Sequence, residues 1–290
     1  MWFHERTPYC ATAYTMPHSV MFTEQQKTEY DNRGFLLMRN SFDPGLAIEA
    51  SELIWNYLHE HRGVERNDPD TWNIEGPWVG LKSLRETSVF ESLQSDTLVS
   101  AINGLLGADA WQQTGHWGGF LVSFPNCAPA DWALPTANWH VDFQLTHKIG
   151  TTFGVQTFVY LTEVRPRGGG TLVVSGSHRL TERFAATLSE EDLRQKYGVL
   201  RDRFNTTDPW LRELNSGEPM SAERVDYFMN REHVIDGVSV KVEELCASPG
   251  DAVLVHPWLV HMVSPNAGPG PRFVLHRNIH VIGKQSSQKS

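Results

Sequence analysis

The stretch GDAVLVHPWLVHMVSPNAGPGPRFVLHRN, residues 250–278, carries the pattern that decides the fold. Gly250-Asp251 is a turn pair, and AVLVH reads as a strand that Pro257 interrupts, because proline cannot donate to a sheet ladder. Leu259, His261 and Val263 then alternate onto one face. SPNAGPGP breaks the chain again, and RFVLHRN reads as a further strand opening at Arg272. An antiparallel hairpin would bring His261 and Arg272 to one interior. A guanidinium facing inward from an apolar strand is costly unless it meets an anion, so Arg272 calls for a buried acidic side chain or an anionic ligand.

Similar β-rich runs begin near residue 110: GGFLVSF, TFGVQTFVYLTEV, TLVVSGS and VSVKVEEL, separated by Gly, Pro and Asn. Short strands that do not alternate with helices argue for an antiparallel sandwich or barrel rather than a doubly wound sheet. The first third is mainly helical. Thr23 and Gln26 form a capping-box pattern that predicts a helix over about 24–32, closed by Gly34, with FLLMRN (35–40) as a strand. Asp43-Pro44 caps a second helix reaching about His61, and a third stretch covers about 89–106. Residues 189–230 are polar and helical and read as an insertion, the kind of segment that covers a site. With no repeat and no long linker, residues 1–290 read as one domain, with residues 1–20 as an arm and 283–290 as a flexible tail.

Composition narrows the function. The 290 residues carry a net charge of −9, which argues against nucleic acid or an anionic membrane as partner. Cys10, Cys127 and Cys246 are far apart and odd in number, so neither a disulfide framework nor a thiolate zinc site is indicated. That cysteine usage, with no secretory pattern at the start and no apolar run of about 20 residues, predicts a cytoplasmic protein. The 13 His and 10 Trp are in excess and suit a metal site or a lined pocket. Trp72, Trp78, Trp111, Trp117, Trp132, Trp139 and Trp210 are candidates for an aromatic wall, although a buried tryptophan is more often plain core.

His140-Val141-Asp142, within ANWHVDF, supplies a possible metal pair. On a strand, residues two apart project to one face, so imidazole and carboxylate can reach one ion. The pattern is common by chance and needs a third ligand, for which His261 competes with His256. Two histidines and one carboxylate leave three positions of an octahedral metal open, the arrangement of non-haem Fe(II) oxygenases. Those positions can accept a 2-oxo acid and O2, while Arg272 takes the far carboxylate of 2-oxoglutarate by a bidentate pair.

With these residues in place, the sequence resembles the phytanoyl-CoA dioxygenase family of Fe(II)/2-oxoglutarate oxygenases over most of its length. MFTEQQKTEYDNRGFLLMRNSFDPG resembles the family's opening helix and strand, WHVDF its metal strand, and GGGTLVVSGSH its glycine-rich turn and following strand. GDAVLVHPWLVHMVSPNAGPGPR resembles its closing segment. The resemblance implies a double-stranded β-helix (jelly-roll) core: mainly β, with a helical N-terminal third and the 189–230 insertion. It implies His140, Asp142 and His261 as iron ligands and Arg272 as the 2-oxoglutarate anchor, and its spacing favours His261 over His256. The histidine of Ser177-His178 is not a ligand in the family and is expected at a strand end.

The sequence departs from the family at Val263, where a serine or threonine is frequent, at Ser123-Phe124, where a lysine is common, and at Phe158, where some members have tryptophan. Gln156, on the same strand face as Phe158, is a candidate cosubstrate contact, with a sheet-end hydrogen bond as the competing reading. His276 and Asn278 share the face of Arg272 and are candidates to line the pocket. The activity implied is oxidation of a C–H bond of a small organic molecule, with hydroxylation first, in secondary metabolism, with release of succinate and CO2. Asp142 argues against a halogenase. The alternative is a jelly-roll binding or isomerase protein without oxygen chemistry, which would have no need of Arg272.

Overall fold

The computed structural model describes residues 14–15, 22–72, 79–113, 117–125, 132–145, 149–150, 152–216 and 222–283. The N-terminal arm and the tail fall largely outside these, save that β1 (Tyr14–Thr15) pairs parallel with the strand that follows α1. Helix α1 (Glu24–Arg33) begins at the expected box: Thr23 Oγ1 accepts from Gln26 N at 3.1 Å and Gln26 Oε1 from Thr23 N at 2.9 Å. It ends at Gly34, whose φ of 81° suits glycine alone. A Cβ there would lie 2.5 Å from His178 Nδ1, so the same glycine lets α1 and the site's flank meet. Strand β2 (Phe35–Arg39) follows, then α2 (Pro44–Arg62), capped by Asp43 with proline in its first turn.

The third helical stretch differs from expectation. It is two helices, α3 (Ser88–Ser92) and α4 (Asp96–Leu106), because Ser95 stops one and caps the other by accepting from Leu98 N at 3.2 Å.

Six strands form one sheet in the order β1-β2-β8-β4-β10-β3, where β3 is Gly119–Ser123, β4 Gly154–Tyr160, β8 Ala252–Val255 and β10 Arg272–His280. A second sheet has the order β6-β7-β5-β9, with β5 Leu172–Ser175, β6 His233–Ile235, β7 Val238–Glu244 and β9 His261–Met262. Alternation sorts the side chains. Leu36, Val155, Val159, Leu254, Phe273 and Leu275 face out from the larger sheet and pack on α2 and α4. Phe35, Phe158, Tyr160, Val173, Val253 and Val274 meet between the sheets. The outer face of the smaller sheet, through Leu172, Val174 and Val240, packs on Phe204, Trp210 and Phe228 of the insertion. The architecture is the expected double-stranded β-helix with added helices.

Two further differences bear on the site. His261 and Arg272 do not form a hairpin. They belong to opposite sheets, on β9 and β10. The insertion also starts earlier, with α5 (Ser177–Ala186) directly after β5, followed by α6 (Tyr197–Asn205), α7 (Pro209–Leu214) and α8 (Ala222–Val225). His178 therefore sits in the first turn of a helix rather than at a strand end, since Gly176 at φ 81° turns the chain out of β5.

Candidate metal centre

His140 and His261 are direct cross-strand partners. Their backbones exchange both hydrogen bonds, His140 N to His261 O at 3.1 Å and the reverse at 2.9 Å. Partners in such a pair present their side chains to one face, and here the imidazole centroids stand 4.5 Å apart. The ANWHVDF segment is not a full strand: only His140 is bridged, and the chain bends at Asp142. Even so, Asp142 returns to the face of His140. The ligand atoms of His140, Asp142 and His261 lie within 4.8 Å of one another, the only such cluster of three among the described residues.

The atoms are also aimed. His140 Nδ1 meets Asn138 O at 2.7 Å and His261 Nδ1 meets Leu259 O at 3.0 Å. A carbonyl only accepts, so both rings carry their proton on Nδ1 and turn the Nε2 lone pair toward the shared centre. Asn138 reaches this geometry at φ 64°, a left-handed conformation asparagine tolerates. Asp142 Oδ1 is 3.5 Å from His140 Nε2 and 3.6 Å from His261 Nε2. Its other oxygen is approached by Asn278 Nδ2 at 3.4 Å and His276 Nε2 at 3.6 Å. Burial acts to raise the Asp142 pKa, but the neighbouring imidazoles outweigh it and hold the carboxyl well below its ordinary range. Asp142 in turn raises the His140 pKa. Burial lowers that of His276 to about 4, which leaves it neutral.

His256, the rival ligand, points elsewhere. Its Nδ1 accepts from Trp258 N at 3.1 Å, and its ring lies 4.8 Å from His178 in a separate cavity of about 320 Å³. Val263 does not share the face of His261 either, being 53% exposed. Strand β9 ends at Met262, and the hydroxyl of the adjacent Ser264 is held by Trp132 Nε1 at 3.1 Å.

Arg272 opens β10 at the far end of the interior from Asn278, opposite Ser123 in register. It is buried, and Nη1 donates to Gly169 O while Nε has no partner. Burial lowers its pKa, with Tyr160 and Glu244 as the nearest opposing influences. Among the described residues no carboxylate lies within 4.0 Å of it, so the internal salt bridge is not what the fold provides. Ser123 Oγ is likewise buried without a partner.

Phe158 pairs with His276 across the sheet, its ring tilted 38° against the imidazole at 4.8 Å, between the metal cluster and Arg272. Gln156 pairs with Asn278, at the metal end, and its Nε2 reaches Pro257 O at 3.4 Å. Of the tryptophans, Trp117, Trp139 and Trp210 are core, Trp132 borders Ser264, and Trp78 lies outside the described residues. Glu244 is the feature that sequence reasoning passed over: its carboxylate accepts from Arg167 N and Gly170 N, and burial raises its pKa to about 7.

Two histidines and a carboxylate at one end of a double-stranded β-helix, with an unpaired arginine at the other, define the non-haem metal oxygenase class. The phytanoyl-CoA dioxygenase (PhyH) profile matches residues 84–274, and the chain belongs to that family of Fe(II)/2-oxoglutarate-dependent oxygenases. No curated protein matches the sequence. Among solved structures, apo EctD from S. alaskensis is similar at a TM-score of 0.51 and 16% identity, covering 97% of this chain and 85% of that one. HygX from Streptomyces hygroscopicus, solved with nickel and 2-oxoglutarate, aligns at a TM-score of 0.48 and 14% identity, covering 91% and 89%. At 16% identity the EctD likeness speaks to the fold alone.

No described helix is long and apolar enough to cross a membrane.

Proposed function

We propose that the protein is an Fe(II)- and 2-oxoglutarate-dependent dioxygenase that oxidises a C–H bond of a small organic molecule, with hydroxylation as the reaction. One observation carries the reading: a buried guanidinium with an orphaned Nε and no carboxylate partner shares an interior with an aimed two-histidine, one-carboxylate cluster. The first calls for an anion and the second for a cation. The residues present therefore fit both the metal and a diacid cosubstrate.

His140, Asp142 and His261 would hold Fe(II), and Arg272 the distal carboxylate of 2-oxoglutarate. When bound, iron and 2-oxoglutarate supply O2 activation, with one oxygen atom going to the substrate and the other to succinate as CO2 leaves. The chain's own residues orient this chemistry. Nδ1–H bonds to Asn138 and Leu259 carbonyls lock the two ligand rings. Asn278 and His276 approach the outer oxygen of Asp142, which orients the carboxylate and would leave Oδ1 as the oxygen offered to the metal. Phe158, Tyr160 and Val274 line an apolar interior that limits water. Phe158 and Gln156 are proposed as cosubstrate neighbours, Phe158 as a wall and Gln156 as a donor through its Nε2, whose bond to Pro257 O is a long 3.4 Å.

The substrate class proposed is small-molecule secondary metabolites. The test is succinate release across a metabolite panel under Fe(II) and O2, with Asp142→Ala as blank. Substrate-stimulated succinate from the parent and none from the variant supports the reading, and equal release from both refutes it.

A further inference from the structure

The carboxylate of Glu244 on β7 grips the turn between β4 and β5. Oε2 accepts from Arg167 N at 2.6 Å and Oε1 from Gly170 N at 2.9 Å. The turn is further tied by Gly168 N to Arg165 O at 2.8 Å and by Ala267 N to Arg167 O at 2.8 Å. Gly169 has a φ of 80°, and a Cβ on Gly170 would fall 2.8 Å from Glu244 Cγ, so both glycines are demanded by the approach.

The Gly170 N–H and the Gly169 C=O belong to the same peptide unit. In a trans peptide these two groups point in opposite directions. One end of this unit donates to Glu244, and the other accepts from Arg272 Nη1. A carboxylate and a guanidinium are thus joined through one peptide dipole without touching, the anion at its N–H and the cation at its oxygen. Hydrogen bonds to charged groups polarise and strengthen one another along such a chain. Arg272 is held by a neutral oxygen on Nη1, with its Nε left unpartnered. A direct ion pair with Glu244 would instead occupy the face that a ligand carboxylate needs.

We infer that Glu244 is a positioning residue for the cosubstrate: through the Gly169–Gly170 peptide it aims Arg272 at the distal carboxylate of a 2-oxo diacid. This inference rests on the proposed role of Arg272 as cosubstrate anchor, and its test keeps the two apart.

The test measures binding to the Ni(II)-loaded protein by calorimetry for two probes, 2-oxoglutarate and 2-oxopentanoate. The latter has the same five carbons and 2-oxo acid but no distal carboxylate. The parent should prefer 2-oxoglutarate, and Arg272→Met should erase that preference. Glu244→Gln leaves one turn amide without its acceptor and should cut the preference about tenfold, the worth of one buried hydrogen bond. Its affinities for Ni(II) and 2-oxopentanoate should stay unchanged. Glu244→Asp, which keeps the charge but shortens the reach, should fall between, and it serves as the test should Glu244→Gln not fold.

A preference kept in full by the Glu244 variants while Arg272→Met loses it overturns the inference and leaves the role of Arg272 intact. A parent with no preference overturns both.

Discussion

Replacing Arg272 by methionine separates a structural arginine from a ligand-binding one. A structural salt bridge would leave a buried acid exposed to loss, whereas here the guanidinium has one carbonyl partner and an orphaned Nε. A buried unsatisfied donor costs about 1–3 kcal/mol, and the bond to Gly169 returns about 1 kcal/mol. Methionine fills similar volume without either term. The metal-free Arg272→Met protein should therefore be as stable as the parent or up to about 2 kcal/mol more so. At this chain length that is a Tm rise of up to about 4 °C. Affinity for 2-oxoglutarate should move the other way. Two charge-assisted hydrogen bonds at about 1.5 kcal/mol each or more amount to a loss of at least about 100-fold. Thermal unfolding of the apoprotein and calorimetric titration of the Ni(II)-loaded protein read the two effects. A Tm lowered by several degrees together with an unchanged 2-oxoglutarate Kd would refute the reasoning, because Arg272 would then be a structural residue.

Other outcomes follow from the same geometry. Asn278→Ala, at an exposed position whose amide reaches Asp142, should weaken Ni(II) binding about tenfold with little change in Tm; unaltered metal affinity would remove its orienting role. His178 and His256 are buried neutral, with His178 lowered to about 4 by burial. Between pH 6.5 and 4 the unfolded chain therefore binds more protons than the native one, and stability should fall on acidification by up to about 1.4 kcal/mol per pH unit for each ring. His178→Phe should flatten that slope in urea melts taken at several pH values, and an identical slope would contradict it. Ser95→Ala removes the cap of α4 and should cost about 1 kcal/mol in the same melts while leaving 2-oxoglutarate affinity untouched.

The strands were legible because alternation and closely spaced turn residues survive in sequence, and α1 and α2 because their caps are local. The gathering of His140, Asp142 and His261 was legible in part: two residues two apart on a strand share a face, and the family resemblance supplied the third, while Arg272 stood out because a guanidinium is costly in an apolar strand. What sequence hid was non-local. A Pro/Gly-rich loop after His261 does not say whether the chain returns to its own sheet or crosses to the other, so β9 and β10 read as a hairpin. The break between α3 and α4 did have a local signal, Ser95-Asp96 as cap and first-turn acid, which apolar periodicity across 89–106 obscured. His256 and His261 look alike in an apolar run; the family spacing favours His261, and its cross-strand partnership with His140 is what brings it into the cluster. Glu244 gave no signal, because its partners, the Arg167 and Gly170 amides, lie 77 and 74 residues away and belong to the backbone.

On the proposed reading, one cation and one 2-oxo acid meet between His140, Asp142, His261 and Arg272. The most direct measurement is an anaerobic titration of the apoprotein with Fe(II) and then 2-oxoglutarate, followed by visible absorption. The expected result is a weak charge-transfer band that saturates at one iron and one 2-oxoglutarate per chain and is absent from His140→Ala and His261→Ala. No band in the parent, or the same band in both variants, would contradict it.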